Sequence, residues 1–290
     1  MKLLFLGTSA GEEYPGIWCD CEYCAKARRF GGRNIRRNSA VMIDGDTMID
    51  IGKTAHIQAE RFGANIRGIR NLLVTHSHID HFDIHTMWSR QMSRSVENLT
   101  PEEQKTASSP RFTRAPAIEM FGSAQVEEAM KAEVNLGECN INFHKVIPYE
   151  NYTANNLELF TLEGNHPDGS VNSINYIVRR GGVTFLYLTD TGWPFERTLD
   201  EIAKHKYDFI IVEGTFGFGV DSLHHMNFEK NVRLLDFFNA NKLWKGKPDC
   251  YLTHIAPHWS PPHDDYLPHV ESAGMKLAYD GLVIDTDTDS

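Results

Sequence analysis

Long apolar runs are missing from this 290-residue chain. No stretch approaches the roughly 20 apolar residues that a membrane-spanning helix needs. Met1-Lys2 precedes only Leu3 to Leu6 before Gly7, too little for the apolar centre of a secretion signal. The expectation is a cytoplasmic protein with no membrane partner. Cysteine is scarce and odd in number, five in all with Cys19, Cys21 and Cys24 close together, which argues against a disulfide framework and fits a reducing compartment. Basic residues are outnumbered, 29 Lys and Arg against 39 Asp and Glu, and the formal charge of -10 leaves no broad footprint for long nucleic acid. A small anion needs only a local cationic site, so a small phosphorylated substrate stays open. No linker separates halves and no internal repeat stands out, while 41% hydrophobic content suffices for a sizeable core. One domain over residues 1–290 is expected.

What the chain does contain is histidine and aspartate at strand ends. Asn71 to Thr75 reads as a buried strand, and it runs straight into His76-Ser77-His78-Ile79-Asp80-His81. A strand that bends into a helix can aim His76 and His78 at one metal ion and Asp80 and His81 at a second. Three further residues close apolar strands: His166 after Leu157 to Leu162, Asp190 after Val183 to Thr189, and His254 after Cys250 to Thr253. Each alone is ordinary. Together they complete two coordination shells, with His76, His78 and His166 around one ion, Asp80, His81 and His254 around the other, and Asp190 bridging.

In this order of motifs the chain resembles the metallo-β-lactamase-fold hydrolases. The likeness begins at Leu4-Phe5-Leu6-Gly7-Thr8 and continues through Met48-Ile49-Asp50-Ile51-Gly52, the ligand cluster, His166, Thr189-Asp190-Thr191 and Leu252-Thr253-His254. The opening Trp18-Cys19-Asp20-Cys21-Glu22-Tyr23-Cys24-Ala25 is similar to that of the PhnP-type phosphoribosyl cyclic phosphodiesterases and, more distantly, of the quinone-biosynthesis B proteins. The resemblance implies an α/β fold, a four-layer αββα sandwich. It also implies a separate structural zinc in the Cys-rich loop at 18–25, with His225 as fourth ligand and His224 as its rival. Independently, three thiols so close cannot easily pair among themselves, yet as thiolates they clip a zinc ion well. Cys139 and Cys250 read as core thiols. By the same resemblance Asp50 orients a metal-binding histidine; the alternative is a turn carboxylate.

Strands are expected at Lys2 to Leu6, Ala40 to Asp44, Thr47 to Ile51 and Asn71 to Thr75, with a helix from Lys53 to Phe62. Later come a hairpin at Gly181-Gly182, helices at Phe195 to His205 and Phe228 to Phe238, the strand Tyr207 to Val212 and a last hairpin at Asp280-Gly281. About 89–116 breaks the rhythm as an inserted polar loop, with a short helix expected at Thr100 to Thr106. Its Arg90, Arg94, Arg111 and Arg114 are candidate phosphate contacts.

The implied chemistry is hydrolysis of a small cyclic or sugar phosphodiester, such as a phosphoribosyl cyclic phosphate, by two divalent ions: zinc or manganese, with iron also compatible with His and Asp ligands. His258, four residues after His254, is expected to protonate the leaving oxygen, and Asp80 to assist as a base. The alternatives are a transfer-RNA 3′-processing nuclease, disfavoured by the negative charge, and a quinone-biosynthesis B-like oxidase or carrier. A homodimer is the base-rate expectation for assembly.

Overall fold

Alternation of side chains along the strands sorts the apolar residues into separate cores. In the first strand Leu3 and Phe5 join one buried cluster while Leu6 joins another, and Val41 and Ile43 part from Ala40 and Met42 in the same way. The computed structural model describes residues 1–92, 100–102, 115–169 and 171–287. Its first sheet runs, edge to edge, through Val283–Asp285, Lys2–Gly7, Ala40–Ile43, Thr47–Ile49, Asn71–Leu73, Ile118–Gly122 and Ile141–Lys145. The second runs through Lys276–Leu277, Cys250–Thr253, Phe209–Glu213, Val183–Leu188, Val171–Arg180, Leu157–Asp168 and Asn151–Ala154.

The sheets pack face to face. Phe5, Ile43, Leu73 and Phe121 of the first meet Tyr176, Phe185, Tyr187 and Ile211 of the second in one cluster. Helices Ala55–Arg61, Ile84–Met92 and Ala124–Glu133 cover the outer face of the first sheet through Ala55, Ala59, Met87, Val126 and Met130. Glu22–Phe30, Glu196–Ala203, Phe228–Ala240 and His263–Ser272 cover the second through Ala27, Ile202, Leu234, Phe238 and Val270. This is the expected αββα sandwich. Within each sheet one half is antiparallel and the other parallel, and the parallel strands end on a common edge. Asp50, Asp190 and His254 sit just past such ends with φ of 62°, 48° and 57°, a left-handed backbone uncommon for residues with a Cβ.

Most expected strands appear within a residue or two. The Cys-rich stretch is only partly a loop, because Glu22–Phe30 is helical and Cys24 sits inside it. His263–Ser272 went unanticipated: Pro268 lies within it, and Pro261-Pro262 before it reads as a break. Of the inserted segment, residues 89–92 belong to a helix. Arg90 there donates to the backbone oxygens of Cys139 and Pro116, so its guanidinium braces the fold. Arg94, Arg111 and Arg114, and most of the helix expected at Thr100 to Thr106, lie outside the described residues. Among the described residues, no helix is long and apolar enough to cross a membrane.

Arg36, wholly buried, donates to Thr8 Oγ1 at 2.7 Å and to the Ala278 carbonyl, anchoring the N-terminal loop to the far end of the chain. Gly52 lies against the ligand loop: a Cβ there would stand 1.8 Å from the Asp80 carbonyl oxygen. Gly52→Ala is therefore expected to destabilise by about 2–3 kcal/mol, in the overpacking range, and to displace Asp80. Gly246→Ala, with nothing within 4 Å of the added carbon, is the control and should leave the melting temperature unchanged. Thermal unfolding of both variants checks this.

Candidate metal centre

Asp190 is the hub of the strand-end cluster. Its Oδ2 lies 3.1 Å from His76 Nε2, 3.2 Å from His81 Nε2 and 3.9 Å from His254 Nε2. Its Oδ1 lies 3.4 Å from His166 Nδ1 and 3.2 Å from His225 Nδ1, without the geometry of a hydrogen bond to either. The carboxylate is nearly sealed from solvent. Burial alone would raise its pKa, but the surrounding His254, His76 and His81 hold it well below the usual carboxylate range.

Two groups of donors share this carboxylate. His76, His78, His166 and Asp190 form one, and Asp80, His81, His254 and Asp190 the other; within each, the donor atoms lie within 4.8 Å of one another. In the first, His76 Nε2 and His78 Nδ1 approach to 2.9 Å, and His166 Nε2 is 3.4 Å from the same His78 atom. In the second, His81 Nε2 stands 3.1 Å from His254 Nε2 and 3.1 Å from Asp80 Oδ2. Lone pairs converging so tightly in a buried space suit divalent ions, because a cation offsets both the desolvation and the mutual repulsion. The donor chemistry, imidazole and carboxylate without thiolate, fits zinc, manganese or iron alike.

The other ring nitrogens are engaged elsewhere. His81 Nδ1 lies 2.7 Å from Asp50 Oδ2, His254 Nδ1 2.8 Å from Thr215 Oγ1 and His76 Nδ1 3.0 Å from Thr75 Oγ1. His78 Nε2 faces Asp168 Oδ1 at 3.6 Å, and Asp168 accepts from both the amide and the hydroxyl of Ser77. Such partners fix tautomer and ring orientation. Of the two readings of Asp50, the orienting one matches this geometry. The hydrogen bonds of Asp168 and Thr215 have no signature in the sequence.

The histidine beside the cysteines corrects the expectation. His225 is at the strand-end cluster, its Nδ1 also 3.2 Å from Glu213 Oε1, and His224 is exposed. The imidazole that meets the cysteines belongs to His258, whose Nδ1 stands 3.0 Å from Cys19 Sγ and 3.9 Å from Cys24 Sγ. The backbone explains both placements. The amide of Met226 donates to Glu213 Oε1 at 2.8 Å, tying His225 to the end of Phe209–Glu213. The loop after Cys250–Thr253 instead runs beside the N-terminal loop, with the Ala10 amide donating to the Ile255 carbonyl. Cys19, Cys21, Cys24 and His258 form a compact group of four. Burial pushes the Cys24 thiol up to about 12; at Cys21 burial also acts upward, but hydrogen bonds from the Cys24 and Tyr23 backbone and with the Cys19 and Cys24 thiols together bring it down. All five cysteines are free, and Cys139 and Cys250 are buried as expected.

The second correction follows. With Nδ1 on Cys19 and Nε2 2.9 Å from Glu12 Oε2, His258 has neither nitrogen free to protonate a leaving group. Burial would raise the Asp80 carboxyl, but the neighbouring His81 and His254 hold it well below the usual range.

Residues sequence reasoning passed over are Glu213 and the placement of His225 at the strand-end cluster. Glu213 is wholly buried, accepts from the amides of Thr191 and Met226, and ends a fully apolar strand, the criterion that singled out Asp190. Burial would lower the His225 pKa, yet Glu213 and Asp190 raise it to about 9. His225 lines a cavity of about 280 Å³ with His78, Asp80, Asp190, Phe216 and Trp259.

A four-layer sandwich carrying clustered His and Asp at its strand ends is the architecture of a metal-dependent hydrolase. The chain belongs to the beta-lactamase superfamily, whose domain model matches residues 45–255. It is similar in structure to a diphosphatase of the PhnP family, with a TM-score of 0.69 and 22% identity over 98% of this chain and 96% of that one. Zinc-bound PqqB from Methylobacterium extorquens aligns with a TM-score of 0.71 and 15% identity over 98% and 100% of the two chains. The short form of human tRNase Z aligns with a TM-score of 0.60 and 16% identity over 98% and 99%. At these identities the likeness shows the fold. Among curated proteins nothing matches.

Substituting the two rival histidines separates the two clusters. His258→Ala, like Cys21→Ser, is expected to lower the melting temperature and to reduce the bound zinc by about one equivalent, because a closed thiolate site contributes folding energy. His225→Ala should leave that equivalent in place. Metal analysis with thermal melts checks both; loss of the same equivalent in His225→Ala would reverse the assignment.

Proposed function

We propose that this protein is a phosphodiesterase that hydrolyses a small phosphodiester, cyclic sugar phosphates among them, with two divalent ions in the strand-end cluster. The observation that carries the reading is the convergence of both donor groups and His225 on one cavity. His76, His78 and His166 would hold one ion, Asp80, His81 and His254 the other, with Asp190 shared. Bound there, the ions supply Lewis acidity for phosphoryl transfer to water.

The remaining steps belong to side chains. Asp50, Thr75, Thr215 and Asp168 hold the imidazoles in the orientation that presents their ligating nitrogens. Glu213 engages His225 at Nδ1 and favours the protonated ring, leaving Nε2 as the atom from which a proton passes to the departing sugar oxygen. This is the role the sequence had suggested for His258. The Cys19, Cys21, Cys24 and His258 group would hold a structural zinc.

A leaving-group comparison tests the proposal. An alkoxide departs only with a proton, whereas a nitrophenolate departs without one. His225→Ala is expected to lower kcat/KM for a ribosyl cyclic phosphodiester about 100-fold and for bis(4-nitrophenyl) phosphate only a few-fold. In the wild type the ribosyl substrate should lose activity as pH rises through the range in which His225 deprotonates, and that alkaline limb should vanish in the variant. Metal binding without turnover of either substrate would instead point to a carrier.

A further inference from the structure

The cavity contains a carboxylate that the hydrolytic reading leaves unused. Glu12 lines it together with Phe216 and Trp259, in the same space as Asp80, Asp190 and His225. The Glu12 side chain is 42% exposed, yet its Oε2 is fixed by His258 Nε2 at 2.9 Å. His258 is itself held through Nδ1 by Cys19. A carboxylate accepts several hydrogen bonds, and this one has lone pairs to spare. No lysine or arginine lines the cavity among the described residues. A second phosphate beside Glu12 would meet this charge with no lysine or arginine set against it, whereas a hydroxyl would meet an acceptor. Trp259 is half-exposed with Phe216 edge-on to it, centroids 5.6 Å apart and planes at 90°, which offers a flat apolar surface beside the carboxylate.

We infer that Glu12 is a specificity-determining residue: among phosphodiesters it favours those whose sugar presents a free hydroxyl and disfavours those with a second phosphate in that position. The inference rests on the phosphodiesterase reading for the scissile group. It narrows that reading, since a phosphoribosyl cyclic phosphate carrying its own second phosphate becomes the poorer substrate.

Three probes that share base and scissile bond test it: adenosine 2′,3′-cyclic phosphate, its 5′-deoxy analogue and its 5′-phosphorylated analogue. The wild-type protein, as isolated with its metal, is expected to rank them by kcat/KM in that order. Glu12→Gln should shrink the hydroxyl-to-phosphate preference about tenfold, the scale of one like-charge contact in a partly solvated site. Glu12→Asp, which keeps the charge, should retain the preference. A wild-type preference for the 5′-phosphate, or a ratio that Glu12→Gln leaves unchanged, would overturn the inference. If the wild type hydrolyses none of the three, the phosphodiesterase reading fails, and calorimetry still decides the role of Glu12. Adenosine 2′-phosphate should then bind more tightly than adenosine 2′,5′-bisphosphate, with the gap closing in Glu12→Gln. Equal affinities in the wild type would sink it.

Discussion

A buried carboxylate ringed by five imidazoles is the arrangement on which the rest depends. Asp190 reaches His76, His81 and His254 through one oxygen and His166 and His225 through the other. Without charge compensation such a cluster is costly to bury. The sandwich meets that cost with a rigid frame in which the participants come from different strand ends of both sheets. Three of those ends, at Asp50, Asp190 and His254, adopt a left-handed backbone, and it is the packed interior beneath them that holds it.

Around this hub the polar interior is layered. Four of the five imidazoles in the two donor groups, those of His76, His78, His81 and His254, carry a fixed neighbour behind them, and two of those neighbours are fixed in turn: Asp50 accepts from the Thr75 amide and hydroxyl, and Asp168 from Ser77. Orientation is thus set two residues deep. Glu213 extends the same logic to His225, and its second oxygen holds the amide of Thr191, immediately after Asp190. Asp190 and His225 therefore share one buried support.

Much of this was legible in the chain. An apolar strand that ends on His or Asp is a local pattern, so His76, His78, Asp80, His81, His166, Asp190 and His254 could be found without knowing which strands neighbour one another. The family likeness supplied the sandwich. What the sequence hid was loop trajectory. His225 and His258 lie in loops of similar character, and which of them reaches the cysteines depends on backbone bonds from Met226 to Glu213 and from Ala10 to Ile255 that join distant segments. Glu213 was within reach of the strand-end criterion, but a carboxylate there also reads as an ordinary turn residue. The helix His263–Ser272 was masked by its prolines, because tertiary packing of Tyr266 and Val270 overrides the local break.

His254 and His258 stand at the two ends of one short link, Ile255-Ala256-Pro257, whose amides at Ile255 and Ala256 are bonded to the Thr8 and Thr215 carbonyls. A link so short and so firmly held has little slack. The same stretch that carries His254 into the strand-end cluster thus sets His258 against Cys19 and, through His258 Nε2, the place of Glu12. Two donor clusters of different chemistry, one of thiols and one of imidazoles and carboxylates, are therefore mounted on a single short piece of backbone.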